Sequence, residues 1–330
     1  MAEAQDFPSP SPIGRAQALH PSSILHPRLL CLTGPTATGK SEVALLLAER
    51  LGGEIISIDS MQVYRGLDIG TAKPSAAEQR RVPHHLIDVV ELTEPFDAAQ
   101  FARLAQAALQ EIQARGHRPI LCGGTGLYFK AFLEGLGEAP PADAALRAQL
   151  EAAPLPELLS ELQRDDPATF AKIDRQNPRR VIRAIEVMRL TGKPFSAQRA
   201  EWSPPAASNA QPPVDFWGLA RAPEDLQTRI NARVELMFKR GLVDEVKKLL
   251  PLGLAENRTA MQAIGYRQVV EHLRGERSLP ETIELVKIRT RQFAKRQMTW
   301  FRRHAQAKWI NCEPQETAEN MAARILSSAL

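Results

Sequence analysis

The octapeptide GPTATGKS, residues 34–41, constrains the fold more than any other stretch of the 330-residue chain. Its pattern, G-x-x-x-x-G-K-[ST], acquires a mechanism between a strand and a helix. Both neighbours fit. RLLCLTG (28–34) is a short apolar run ending in glycine, as a buried parallel strand does. SEVALLLAERLGG (41–53) carries apolar residues at helical spacing up to a Gly-Gly stop. Glycines let backbone N–H groups turn inward around anionic oxygens, and the helix start adds partial positive charge. Gly34, Pro35, Thr36, Ala37, Thr38, Gly39, Lys40 and Ser41 are therefore expected to hold a di- or triphosphate, with Lys40 as a mobile cation and Ser41 as a hydroxyl suited to Mg2+.

The alternation continues. EIISIDS (54–60) and HHLIDVV (84–90) read as strands, and residues 96–116 as a helix with Asp97 as N-cap and Gly116 as stop. RPILCGGTG (118–126) is a further strand running into a Gly-rich turn. Strand and helix in alternation predict an α/β fold, a parallel sheet flanked by helices. From GEAPPAD (137–143) the character changes to helical periodicity without a convincing strand, until the loose stretch EWSPPAASNAQPPV (201–214). VDFWGLA (214–220) resumes as a strand, three helical segments follow, and AKWINC (307–312) is a short late strand. The predicted organisation is a disordered Pro/Ser/Ala-rich lead (1–27), a first part of the core (28–140), an all-helical insertion domain (141–213), the completed core (214–312) and a tail helix (313–330).

The three cysteines, Cys31, Cys122 and Cys312, lie far apart and show no Cys-x-x-Cys spacing, which argues against a disulfide framework and a zinc site alike. No run of 18 apolar residues marks a membrane span, and the lead has no signal-peptide core. A cytoplasmic protein is expected.

A nucleotide hydrolase or kinase would place an acidic metal ligand at the end of a later apolar strand. PILCGG ends in Gly-Gly-Thr instead. The carboxylate stands elsewhere, at Asp59, ending the strand after the loop's helix. Ligands gather at the carboxyl ends of parallel strands, so Asp59 is expected in the same crevice as Lys40, as metal ligand or proton acceptor; a plain turn residue is the alternative. Residues 285–312 contain no acid, although net charge is only +4. Val286, Phe293 and Trp300 recur every seven residues and form an apolar helical line, with Lys295 and Arg302 nearly opposite. A second cluster, Arg175, Arg179, Arg180, Arg183 and Arg189, surrounds the cap Asn177-Pro178. Two basic clusters flanking a phosphate crevice suit a polyanion.

GPTATGKS, IISIDSMQVYRGLDIGTAKP (55–74), CGGTGLYFKAFLEGL (122–136), IGYRQ (264–268) and AKRQMTWFRR (294–303), in this order, resemble the bacterial tRNA dimethylallyltransferase family. The resemblance implies a P-loop NTPase-like core and transfer of a dimethylallyl group from dimethylallyl diphosphate to N6 of the adenosine 3′ of the anticodon (tRNA position 37), in tRNAs reading codons that begin with U. The phosphate loop would then grip the donor's diphosphate with Mg2+, joined by Arg233, and Asp59 would accept the N6 proton. The family's tRNA contacts map onto Asp59, Ser60, Met61 and Gln62, onto Thr125 and Arg147, and onto Arg179, Arg180, Val181, Ile182 and Arg183. They continue over Gln262, Ala263, Ile264, Gly265, Tyr266 and Arg267, and over Lys295, Arg296, Gln297, Met298, Thr299, Trp300, Phe301 and Arg302. Gln262 stands where some members carry Arg. The partner implied is the tRNA anticodon stem-loop, met by a monomer. A P-loop small-molecule kinase or NTPase, and a non-enzymatic RNA-binding protein, are the competing readings.

Overall fold

The computed structural model describes residues 28–136, 140, 142–198 and 214–329. The lead and the loose stretch before residue 214 lie outside the described residues. The chain opens with β1 (Leu29–Thr33), α1 (Lys40–Leu51), β2 (Gly53–Ile58), α2 (Ala76–Arg81), β3 (His84–His85), α3 (Ala98–Ala114), β4 (Arg118–Gly123) and α4 (Gly126–Glu134). Then come α5 (Ala144–Ala152), α6 (Leu155–Asp165), α7 (Pro167–Lys172), α8 (Pro178–Thr191) and α9 (Phe195–Gln198), with no strand among the described residues of this stretch. β5 (Val214–Arg221), α10 (Pro223–Lys239), α11 (Leu242–Leu249), α12 (Tyr266–Leu273), α13 (Leu279–His304), β6 (Lys308–Cys312) and α14 (Ala318–Ala329) complete it.

The six strands form one sheet in the order β3-β2-β4-β1-β5-β6, and every pairing is parallel. Alternation along β1 divides its side chains between two layers. Leu30 and Leu32 pack with Val43 and Leu47 of α1 and with Met321 and Ile325 of α14. Leu29 and Cys31 face Phe101 of α3, Phe129 of α4 and Phe301 of α13. The helices 144–198 have a core of their own, built on Leu158, Leu162, Val181 and Ile185. All three cysteines are free and buried.

Two expectations are corrected. HHLIDVV is a strand only at its first two residues, because Leu86 and Asp88 adopt left-handed φ of 63° and 55° and turn the chain away from β2. Four α-helices, not three, separate β5 from β6. Asp97 caps α3 as expected, accepting from the N–H of Ala99 and Gln100. Among the described residues no helix is long and apolar enough to cross a membrane.

Candidate active site

β1 delivers its chain into the phosphate loop at the carboxyl edge of the sheet. Gly34 has φ +151°, and a Cβ there would stand 2.6 Å from the Leu219 carbonyl oxygen, so no side chain fits. The loop's carbonyls are turned outward and held. Thr38 Oγ1 and Lys40 Nζ donate to the Pro35 carbonyl at 2.9 and 3.3 Å. Arg229 Nε on α10 donates to Ala37 O at 2.8 Å, and Arg221 Nε at the end of β5 to Thr38 O at 3.1 Å. Ala37 is thereby kept at φ 67°, a conformation that costs a non-glycine residue about 1–2 kcal/mol. The N–H groups of Ala37, Thr38, Gly39, Lys40 and Ser41 meet no protein acceptor among the described residues. They form an anion nest at the start of α1.

Two cations face this nest. Burial lowers the pKa of Lys40; the nearby Arg233 adds to the effect and the Asp59 carboxylate opposes it. Burial likewise lowers that of Arg233, again against the attraction of Asp59. Arg233 makes no hydrogen bond or ion pair among the described residues. A half-buried guanidinium left in this condition is poised for an anion supplied from outside.

Asp59 stands one residue beyond β2. Its Oδ1 accepts from the N–H of Met61 at 2.8 Å and of Gln62 at 3.3 Å, which builds the turn. Its Oδ2 accepts from no group among the described residues. Asp59 is thus both turn residue and available acceptor. Ser57 donates to Gln62 Oε1 at 2.8 Å, and the Ser60 N–H to Thr125 Oγ1 at 3.3 Å, tying this turn to the end of β4. No group of three or more His, Cys, Asp or Glu suited to a metal occurs among the described residues. The exposed Ser41 hydroxyl at the start of α1 is a donor that fits an ion completing its shell with phosphate oxygens and water.

The remaining predicted residues divide by burial. Arg179, Arg180, Gln262, Arg267, Lys295, Arg296, Thr299 and Arg302 are exposed. Arg147, Arg179, Gln262 and Arg267 line a cleft of about 840 Å3 between α5–α8 and α12. Val181, Ile182, Ala263, Tyr266, Gln297 and Phe301 are buried, as is Gly265, while Ile264, Met298 and Trp300 are half-buried. Of the buried residues, Ile182 still lines the cleft, and others act on their neighbours. Tyr266 shows how: its hydroxyl donates to Glu245 Oε1 at 2.6 Å and accepts from the Gly70 N–H at 3.1 Å. It thereby holds the loop that follows Asp59.

The positive surface is smaller than the residue types suggest. Arg147 and Arg183 share the buried Glu186 at 2.6 and 2.7 Å, Arg189 pairs with Glu161, Arg175 lies over the Phe170 ring, and Lys287 meets Glu235 and Glu284. Sequence reasoning missed Arg221 and Arg229. Arg229 precedes Arg233 by one helical turn on α10, a spacing that puts both on one face and could have been read.

The sequence profile of the family described as IPP transferase matches residues 62–304. A tRNA dimethylallyltransferase of Pelotomaculum thermopropionicum is 45% identical over 90% of this chain and 95% of its own. One of Trichlorobacter lovleyi is 48% identical over 87% and 94%. Among solved structures, the full-length tRNA isopentenylpyrophosphate transferase of Bacillus halodurans superposes with a TM-score of 0.63 at 39% identity, covering 92% of this chain and 98% of that one. A eukaryotic dimethylallyltransferase acting on tRNA gives 0.71 at 28% identity, over 86% and 74%. With a profile match across most of its length and relatives 45–48% identical over about nine-tenths of it, the chain belongs to the IPP transferase family.

Proposed function

We propose that this crevice transfers the dimethylallyl group of dimethylallyl diphosphate to N6 of the adenosine 3′ of the anticodon, at tRNA position 37, in tRNAs reading codons that begin with U. One observation carries the reading. Five N–H groups with no acceptor among the described residues and two half-buried cations stand beside a carboxylate with a free oxygen. That arrangement suits a reaction in which an anion departs while a proton is accepted.

Adenine N6 is a weak nucleophile because its lone pair is delocalised into the ring. The donor carbon is activated because it is allylic and its leaving group is diphosphate. The C–N6 bond forms as the C–O bond breaks. The nest, Lys40 and Arg233 take up the negative charge that grows on the departing oxygen. Asp59 Oδ2 receives the N6 proton, a role worth about 10²–10⁴-fold in rate. Mg2+ at Ser41 would neutralise diphosphate charge when bound. The base reaches Asp59 only outside its stack, so the anticodon loop is read as lying along Arg179, Arg180 and Arg267 and the exposed face of α13. The helical segment 141–213 serves as the insertion domain on one side of this RNA. The protein acts as a cytoplasmic monomer.

Mass analysis of nucleosides from tRNA treated with protein, donor and Mg2+ tests this. A dimethylallyl-modified adenosine at position 37 is expected. ATP turnover with no modified nucleoside would reverse the assignment in favour of a kinase or NTPase.

A further inference from the structure

The nest ends abruptly at Thr36. Among the described residues, of the N–H groups from Thr36 to Ser41 only that of Thr36 is taken, donating to Gln297 Oε1 of α13 at 2.9 Å. The same amide's Nε2 donates to the Gly124 carbonyl at the end of β4, also at 2.9 Å. Gln297 is only 7% exposed. A Cβ on Gly124 would stand 2.2 Å from Nε2, so the turn after β4 leaves room for this amide and little else. Its orientation is fixed, since a flipped amide would set a donor against the Thr36 N–H and an acceptor against the Gly124 carbonyl.

We propose that Gln297 closes the entrance end of the phosphate loop and limits the site to two phosphates, so that it selects a diphosphate over a triphosphate. The inference deepens the reading of the crevice as a diphosphate site and rests on it. A polyphosphate anchored at the start of α1 and running back along the loop finds free donors as far as Ala37 and then meets a carbonyl oxygen. Phosphate oxygen and amide oxygen repel each other. Moving the amide aside would leave the Gly124 carbonyl and Nε2 buried without partners. Charge alone works the other way, because Lys40 and Arg233 attract a triphosphate more strongly than a diphosphate. A preference for the smaller anion therefore needs a local obstacle, and Gln297 is placed to be one.

Calorimetric titration of the full-length protein with inorganic diphosphate and with inorganic triphosphate, both with Mg2+, tests this. The wild type is expected to bind diphosphate at least about tenfold more tightly. Gln297→Ala and Gln297→Asn should shrink that ratio by about tenfold through a gain in triphosphate affinity. Melting curves identify the folded variants, and the asparagine variant, which keeps an amide, decides if the alanine variant fails to fold. Equal affinities in the wild type, or an unchanged ratio in a folded variant, overturn the proposal. A wild type that binds neither anion overturns the diphosphate-site reading, and the proposal with it.

Discussion

Replacing Arg233 with methionine separates function from stability, because the two effects should run in opposite directions. Methionine keeps much of the side chain's length and removes the charge. In the proposed complex Arg233 makes charge-assisted hydrogen bonds to diphosphate, worth about 1.5–3 kcal/mol. Their loss should weaken diphosphate binding by about 10- to 150-fold. The free protein loses nothing comparable. Burial already lowers the pKa of this guanidinium, and it has no hydrogen bond or ion pair among the described residues to forfeit. The melting temperature should hold or rise. Arg221→Met is the contrasting case. Arg221 is buried and bonds Thr38 O, Asp225 Oδ2 and Glu313 O at 3.1, 2.9 and 2.8 Å, so removing it strands a carboxylate and should cost about 3–5 kcal/mol. Calorimetry with diphosphate, RNA-binding titrations and melting curves on both variants supply the comparison. If Arg233→Met melts as early as Arg221→Met, or loses RNA affinity as much as diphosphate affinity, Arg233 is a structural residue and the anion-site argument is wrong.

Asp59→Asn keeps an acceptor for the turn and removes the base; turnover should fall by about 10²–10⁴-fold with RNA affinity nearly intact, and single-turnover prenylation alongside RNA titration checks both. RNA affinity should fall steeply as salt rises, since exposed arginines and lysines contact phosphates; a flat response would make them ordinary solvated surface. At the opposite edge of the sheet, Glu54 is 2% exposed. Burial raises its pKa, but hydrogen bonds from Arg115 and interactions with His85 and His117 overcome this and hold it at about 2. Because its folded value lies below the 4.5 of the free side chain, it stabilises the protein at neutral pH by about 3 kcal/mol. That contribution fades as pH falls from about 4.5 toward 2. Urea titrations of Glu54→Gln should show a deficit of this size at pH 7 and little near pH 2; a deficit independent of pH would assign it to packing.

What the sequence made legible is local. A strand, a glycine loop and a helix within two dozen residues announce themselves by period and by turn chemistry, and Asp59 follows from the rule that ligands collect at strand ends. Arg233 came from resemblance, not from pattern. The bracing of the loop was hidden because its partners are far apart in the chain: Gln297 lies 261 residues from Thr36 and Arg229 lies 192 from Ala37. Charge was overread for a related reason. Counting arginines between 175 and 189 cannot show that Glu186 and Glu161 pair with two of them, Arg183 and Arg189, since that depends on which helix faces meet. HHLIDVV has strand composition throughout, yet two left-handed residues decide its path, and neither is glycine.

The packing of α14 against α1 bears on how the molecule is made. Val43, Ala44 and Leu47, which follow the phosphate loop, share a cluster with Met321, Ala322 and Ile325 near the other end of the chain. Leu30, Leu32, Ile55 and Ile120 of the sheet can meet α1 early in synthesis, but the layer is sealed only when Met321 and Ile325 arrive, about 270 residues after Leu47. Cutting the chain ahead of Ala318 would therefore open the layer beneath the phosphate loop without touching a residue of the loop itself.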